Sequence, residues 1–298
     1  MKTLLAYIRL TRPANLVTAV ADIAAGVAVA IIACGYETCS PLPIIIMMRL
    51  SMATIGLYAG GVVMNDVADY ELDKIERPER PIPSGFASKE GATVLGITLL
   101  LAGIFFAAQV SWLSGIIAAS IAVLALLYDY LGKHHNFFGP VNMGLCRGGN
   151  LLLGMSACRD AVDSYFWLAI IPVIYISAIT MISRGEVVGG NKTAIRYASL
   201  MYAIVAGIIA YLSIITKNYF YPALIFLALF TFLIYRPLIV AYNKPEAINI
   251  RSAVKTGIIS LIVMDAAIAT CFTGWVYGLC LLALLPVSVL LARIFAVT

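Results

Sequence analysis

Three carboxylates and one amide follow a regular spacing near residue 70. Asn65, Asp69 and Asp73 lie four residues apart, and Asp66 is next to the first of them. If the preceding apolar segment continues as a helix, positions four apart share one face. Carboxylates crowded on one face repel each other unless a divalent cation lies between them. Oxygen-only ligands suit magnesium, so the spacing predicts a Mg²⁺ site at Asn65, Asp66, Asp69 and Asp73.

Arginines and prolines follow directly after these acids. Residues 77–85 include three prolines, which end the helix, together with Arg77 and Arg80. Guanidinium groups bind phosphate oxygens well, so arginines beside a magnesium site predict a diphosphate ligand, and the apolar surroundings predict that it carries a hydrophobic tail. An alternative stays open, in which an ordinary acidic helix end is balanced by Lys74, Arg77 and Arg80.

The elements that position this site must lie in a membrane. Hydrophobic residues make up 62% of the 298 residues and charged residues only 12%, and the mean hydropathy is +0.98, which excludes an ordinary soluble protein. A membrane-spanning helix needs about 20 apolar residues. Suitable runs lie near 14–34, 42–64, 91–109, 113–130, 141–157, 164–182, 197–215, 219–240, 253–272 and 275–296. None alternates with a period of two, so we expect an all-α, polytopic transmembrane bundle of nine to ten spans, in one domain over residues 1–298.

Lysine and arginine concentrate in alternate connecting segments. The opposite set of connections carries only Arg159 and Lys217. The positive-inside rule therefore predicts a multi-pass protein of the cell (inner) membrane whose acidic site faces the cytoplasm. The net charge of +5 follows from this topology, and because no basic cluster is interleaved with exposed aromatic residues, we expect no nucleic-acid partner.

The six cysteines show no metal-ligand spacing. Four of them lie in predicted spans, where a small buried hydrophobic residue is the favoured interpretation: Cys146, Cys158, Cys271 and Cys280. Cys34 and Cys39 flank the first short loop. They predict a pair of thiols, with a disulfide as the alternative if that loop faces an oxidising compartment.

A few polar residues fall inside the predicted spans, where ionisable groups are costly and usually line a cavity or pair with each other. Arg147 lies between Asn142 and Asn150 in a glycine-rich stretch that allows close approach of helices or substrate. Asn142 and Arg147 are therefore candidate substrate-binding residues. The alternative is interhelical pairing, for example of Arg147 with Asp22 or Asp265.

The pattern in residues 65–73, followed by Arg80-Pro81-Ile82-Pro83-Ser84-Gly85, resembles the first aspartate-rich motif of the UbiA superfamily of intramembrane prenyltransferases. Arg12-Pro13-x-Asn15, Lys133 and Gly190-x-Lys192-Thr193 extend the resemblance over nearly the whole chain. The resemblance implies about nine spans, a cavity open to lipid, and magnesium-dependent transfer of a prenyl group from a prenyl diphosphate to a hydrophobic or aromatic acceptor. It also implies that phosphate oxygens are held by Arg77, Arg80, Lys133 and Lys192.

The second aspartate-rich motif of that superfamily is altered here. Residues 182–190 keep only Glu186 as a carboxylate and place Arg184 among the expected acids. We therefore expect one Mg²⁺ per diphosphate, with Arg184 binding phosphate oxygens in place of a second ion. This stretch and residues 142–150 resemble the divergent UbiA-like branch called EboC, which implies an unidentified acceptor.

Two other functions stay open at this point. One is a UbiA-like component that binds or transports a prenyl lipid or hydrophobic metabolite with degenerate catalytic machinery. The other is an ion-coupled transporter, which would carry mid-membrane charges in both halves, whereas here the acids cluster at one edge. The sequence leaves the oligomeric state open.

Overall fold

The computed structural model describes residues 2–36, 41–132, 135, 137–186, 189–190, 192–217 and 219–295. Over these residues the chain forms helices and no strands. The helices are α1 Lys2–Leu10, α2 Pro13–Ala33, α3 Pro41–Ala68, α4 Tyr70–Glu76, α5 Lys89–Ala108, α6 Trp112–Leu127, α7 Phe138–Met155, α8 Arg159–Tyr165, α9 Ile170–Ser183, α10 Lys192–Thr216, α11 Phe220–Asn243, α12 Ala247–Thr273, α13 Trp275–Leu282 and α14 Leu284–Ile294. A π-helical turn, Tyr128–Gly132, extends α6, and a 3₁₀ turn, Phe166–Ala169, joins α8 to α9. The predicted all-α architecture is confirmed.

Nine segments of the described chain are long and apolar enough to cross a membrane. Helix α7 is not among them, because its glycines, asparagines and arginine lower its hydropathy. It nevertheless runs parallel to α2 along its length: Arg147 contacts Thr18, and Asn150 contacts Asp22. Further along, a Cβ atom on Gly26 would lie 2.7 Å from the Cα of Gly154, so only glycine allows the two backbones to touch. With α7 counted beside the nine candidate spans, ten long segments of the described chain make up the bundle, which agrees with the predicted nine to ten spans.

Helices α2 and α12 form the centre of the bundle, since 72% and 78% of the residues in their most apolar stretches are buried. Helix α12 packs against α2, α9 and α11. The buried Tyr175 of α9 donates a hydrogen bond to the carbonyl oxygen of Gly257 in α12 at 2.8 Å. Asp22 on α2 and Asp265 on α12 are therefore held away from lipid and water.

A disulfide joins Cys34, at the end of α2, to Cys158, just after α7. This corrects the sequence interpretation, which treated Cys158 as a buried thiol and considered Cys34 only with Cys39, a residue outside the described part of the chain. The pairing follows from the parallel contact of α2 and α7, which brings their ends together at the end of the bundle opposite the aspartates.

We expect protein purified without reductant to contain this disulfide. Mass spectrometric peptide mapping should link Cys34 to Cys158, and Cys158→Ser should lower the midpoint of thermal unfolding because the bond closes a loop of 124 positions. Cys280→Ser, which changes an exposed free cysteine, is the matched control and should leave the midpoint unchanged. Recovery of both peptides with free thiols would contradict the pairing.

The acidic stretch keeps helical hydrogen bonding across the junction of α3 and α4. The N–H of Asp69 donates to the carbonyl of Asn65 at 2.9 Å, and the N–H of Asp73 donates to that of Asp69 at 2.8 Å. Asp69 itself departs from helical geometry, with φ −83° and ψ 0°. The predicted four-residue relation among these side chains is therefore present, and α4 then ends at Glu76, ahead of the prolines.

Candidate functional site

An elongated cavity of about 450 Å³ opens at the acidic edge of the bundle. Its mouth is lined by Asn65, Asp69, Asp73, Arg77, Arg80, Asp129 and Glu186. Its middle is apolar and includes Leu57, Val62, Ile121, Ile179 and Leu261. From Asn65 to Thr54 on α3, the cavity extends along eleven residues, about 16 Å of helix, to a second polar region. The shape suits an amphiphile with a charged head and an apolar tail.

Two arginines neutralise the aspartates at the mouth. Nη2 of Arg12 lies 2.9 Å from Oδ1 of Asp66. Nη1 of Arg80 lies 3.3 Å from the same oxygen and 2.6 Å from Oδ2 of Asp73. Arg80 therefore bridges the carboxylates of Asp66 and Asp73, both of which are mostly buried.

Burial makes negative charge costly at two carboxyl groups of the mouth. Burial raises the pKa of Asp73; Arg80 opposes this change, and the nearby charges of Asp66 and Asp69 add to it. Burial likewise raises the pKa of Glu186, against the lowering effects of Arg251 and Arg77. A cation bound beside Asp73 would favour its charged form.

The donor set at the mouth fits magnesium in chemistry. It consists of carboxylate oxygens with one amide, and the mutual repulsion at Asp73 is what a divalent ion relieves. Within the described residues, the carboxylates of Asp66, Asp69 and Asp73 do not all come within 4.8 Å of one another. Cys34, Cys158 and Asp160 do converge that closely, but both sulfur atoms are in the disulfide and are not metal ligands.

Asp129 is a site residue that the sequence reasoning missed. It lies on the π-helical turn after α6, is buried, and lines the mouth. Its Oδ1 accepts a hydrogen bond from Nδ2 of Asn65 at 2.8 Å. This contact orients the Asn65 amide so that its carbonyl oxygen is the atom offered to a ligand. The signal in the sequence is a single aspartate at the end of an apolar run, between Tyr128 and Tyr130.

The other predicted phosphate-binding residues take different positions. Arg77 lines the mouth. Arg184 lies off the cavity wall, and its Nη2 donates to the carbonyl oxygen of His135 at 2.8 Å. Nζ of Lys192 lies 5.5 Å from the ring centroid of Tyr242. Lys133 lies outside the described residues, and neither Arg184 nor Lys192 lines the cavity. Phosphate binding by these three residues stays a prediction.

The floor of the cavity is a buried polar network. Nε of Arg147 lies 2.7 Å from Oδ2 of Asp22, and its Nη2 donates to Oγ1 of Thr18 at 2.7 Å. Asn150 donates to Oδ2 of Asp22 at 2.9 Å and accepts from Oγ1 of Thr54 at 2.7 Å. The interhelical pairing of Arg147 is therefore present, and Arg147 also lines the cavity as a substrate-binding residue would. Asn142 lies off the wall of the cavity, with its Oδ1 4.0 Å from Sγ of Cys146.

Asp265 of α12 lies near Asp22, and both carboxyl groups are buried. No described group donates a hydrogen bond to Oδ1 of Asp22 or to Oδ2 of Asp265. Two like charges buried close together disfavour each other, so one negative charge on the pair is the arrangement that the single guanidinium group of Arg147 can balance.

Comparison with known proteins gives related sequences and folds. A model of the UbiA prenyltransferase family matches residues 23–255. A digeranylgeranylglyceryl phosphate synthase from Methanoculleus marisnigri is 35% identical over 149 residues, which are 50% of this chain and 50% of that protein. The chain thus spans about half the length of the first curated relatives it matches.

Two solved structures share the fold. The apo structure of a UbiA homolog from Aeropyrum pernix K1 has a TM-score of 0.69 at 15% identity, covering 85% of this chain and 96% of that one. A UbiA homolog from Archaeoglobus fulgidus bound to GPP and Mg²⁺ has a TM-score of 0.64 at 14% identity, covering 93% and 99%. At these identities the likeness concerns the arrangement of the helices.

Proposed function

The chain belongs to the UbiA prenyltransferase family, and on that premise we propose that it transfers a prenyl group from a prenyl diphosphate to an acceptor in the membrane, with Mg²⁺. The observation that carries the proposal is the cavity that joins the aspartate and arginine mouth to an apolar interior. The mouth suits the diphosphate and the interior suits its tail. The predicted EboC subgroup stays a prediction, as does the single domain over residues 1–298.

Magnesium would supply charge neutralisation for the departing diphosphate. Asp66, Asp69, Asp73 and the carbonyl oxygen of Asn65 would hold it. Arg80 would release the carboxylates that it bridges and bind phosphate oxygens instead, because planar guanidinium donors suit either partner. This exchange would let the three carboxylates converge.

The reaction then follows from charge and water exclusion. The carbon–oxygen bond to the diphosphate breaks, and the leaving group takes the electron pair. The apolar wall keeps water from the allylic cation until a nucleophilic atom of the acceptor attacks it and loses its proton. No nucleophile of the protein is needed for this sequence of steps.

The names of the curated relatives support a finer proposal for the acceptor. These relatives are named as synthases of digeranylgeranylglyceryl phosphate, a glyceryl phosphate with two geranylgeranyl groups. We infer that the acceptor here is likewise a lipid with a nucleophilic hydroxyl and an anionic head group.

Purified protein tests the activity directly. It should be incubated with Mg²⁺, labelled prenyl diphosphates of several lengths, and a membrane extract as the acceptor source. Magnesium-dependent formation of a prenylated lipid with release of diphosphate supports the proposal. Tight binding of prenyl diphosphate with no product from any extract would favour the binding or transport component.

We further propose that the mouth faces the cytoplasm, since the disulfide at the opposite end fits an oxidising compartment. Ser84 and Ser164 are exposed serines at the two ends of the bundle. In intact cells, Ser164→Cys should react with an impermeant thiol reagent added outside, and Ser84→Cys only after permeabilisation. The reverse pattern would overturn the orientation. Asn191, a second position that the positive-inside rule assigns to the cytoplasm, lies outside the described residues.

A further inference from the structure

A second cavity, of about 790 Å³, borders the first at the same edge of the bundle. The two cavities share four lining residues, Arg12, Arg77, Arg80 and Glu186. Arg9 of α1 and Arg251 of α12 line only the second cavity. A ligand in the second cavity would therefore lie beside the diphosphate of the first without occupying the same place.

The second cavity has an excess of positive charge. Five arginines line it, against the acids Asp66, Glu79 and Glu186. Arg12 and Arg80 are bonded to aspartates, as described above. Arg9, Arg77 and Arg251 form no hydrogen bond or ion pair with their side chains in the part of the chain that the structure describes. The three are available to bind an anion.

Glu186 lines this cavity together with Arg77 and Arg251, and the charges of both arginines favour its ionised form. Its Oε1 is buried without a hydrogen-bond donor among the described residues. Over the whole lining, the five arginines exceed the three acids by two charges. A phosphate monoester carries close to two negative charges near neutral pH, so it would balance this excess.

The rim of this cavity is apolar and lies where lipid head groups would be. Leu5, Phe86 and Ile294 line it and are 42%, 50% and 60% exposed. Leu5 and Arg9 of helix α1 are four residues apart and therefore lie on one side of this amphipathic helix, whose apolar residues Leu4 and Ile8 are also exposed. Such a helix lies in the membrane interface, with its basic residues at the level of lipid phosphates.

We propose that Arg9, Arg77 and Arg251 form a binding site for the phosphate group of the acceptor lipid, placed so that its nearby hydroxyl points into the diphosphate cavity. This proposal rests on the proposed function, since it assigns the acceptor's head group to a defined place. Arg77 borders both cavities and would contact both substrates. Arg9 and Arg251 would contact only the acceptor.

Direct binding tests the site without turnover. Protein in phosphatidylcholine nanodiscs should be titrated with dihexanoyl phosphatidic acid, with the matching diacylglycerol, and with inorganic phosphate. Wild type should bind phosphatidic acid, and Arg9→Gln and Arg251→Gln should each weaken binding by about 10-fold to 100-fold, the effect of losing a charge-assisted hydrogen bond. Arg236→Gln, an exposed arginine on α11 away from both cavities, is the matched control and should change nothing.

A second titration separates this site from the diphosphate site. The affinity for a non-hydrolysable prenyl thiolodiphosphate with Mg²⁺ should stay within about two-fold of wild type in Arg9→Gln and Arg251→Gln, since neither arginine lines the first cavity and no hydrogen bond to the diphosphate is lost. If Arg236→Gln lost as much affinity for phosphatidic acid as Arg9→Gln and Arg251→Gln, the binding would be a general attraction between basic residues and anionic lipid. Equal binding of inorganic phosphate would make it a free-phosphate site, and unchanged phosphatidic acid affinity in both variants would overturn it altogether. Absence of any prenyl transfer would count against the proposed function alone, because these titrations involve no reaction.

Discussion

Asp69→Asn and Asp73→Asn are each expected to lower kcat/KM for prenyl transfer by about 100-fold or more, because a ligand that helps to neutralise the departing diphosphate is lost. Each variant should also lose most of the magnesium-dependent affinity for a prenyl diphosphate. Both residues line the mouth of the cavity and lie outside the apolar core. Calorimetric titration with and without Mg²⁺ measures the affinity, and thermal unfolding checks that the fold is intact.

Asp163→Asn is the control for these two variants. Asp163 is exposed at the opposite end of the bundle, where its Oδ2 lies 3.6 Å from Nε of Arg159 in a surface ion pair of little energetic weight. Its replacement should leave both activity and affinity unchanged. If Asp69→Asn and Asp73→Asn kept the magnesium-dependent affinity of wild type, the acidic stretch would be only a balanced helix end.

Arg147→Met should destabilise the protein by about 3–5 kcal/mol, because it leaves the charge shared by Asp22 and Asp265 buried without a counter-ion. The methionine fills much of the arginine's volume, so the loss reflects charge more than packing. Denaturant unfolding in detergent measures it, with Arg159→Gln as the control. Arg159 is 83% exposed, so its replacement should change the free energy of unfolding by less than about 0.5 kcal/mol.

The double variant Asp22→Asn/Arg147→Met separates structure from substrate binding. It removes the Asp22 carboxylate and the Arg147 guanidinium group, so Asp265 can stay protonated beside the uncharged Asn side chain. Most of the stability that Arg147→Met loses should therefore return. If activity also returns, Arg147 serves only to pair the helices. If stability returns while kcat/KM stays low, Arg147 contacts substrate as the sequence predicts. An Arg147→Met variant as stable as wild type would contradict the buried ion pair.

Local features of the chain were readable from the sequence. The long apolar runs determine helices in a membrane, since backbone groups in lipid must bond within their own segment. The acid cluster was also predictable, because Asn65, Asp69 and Asp73 depend only on helical hydrogen bonds over four residues, which continue through the junction at Asp69. Arg80 follows within one short proline-rich turn and reaches back to Asp66 and Asp73.

Contacts between distant segments were decided by the tertiary structure. Asp129 is a site residue only because α6 packs beside α3 and brings it to Asn65, 64 positions away. Arg147 pairs with Asp22 because Gly26 and Gly154 allow the backbones of α2 and α7 to touch. The same parallel packing places Cys34 beside Cys158. Spacing along a chain determines which side chains share a face of one helix, but which faces meet depends on how all the helices pack, and small residues at the crossing points set those distances.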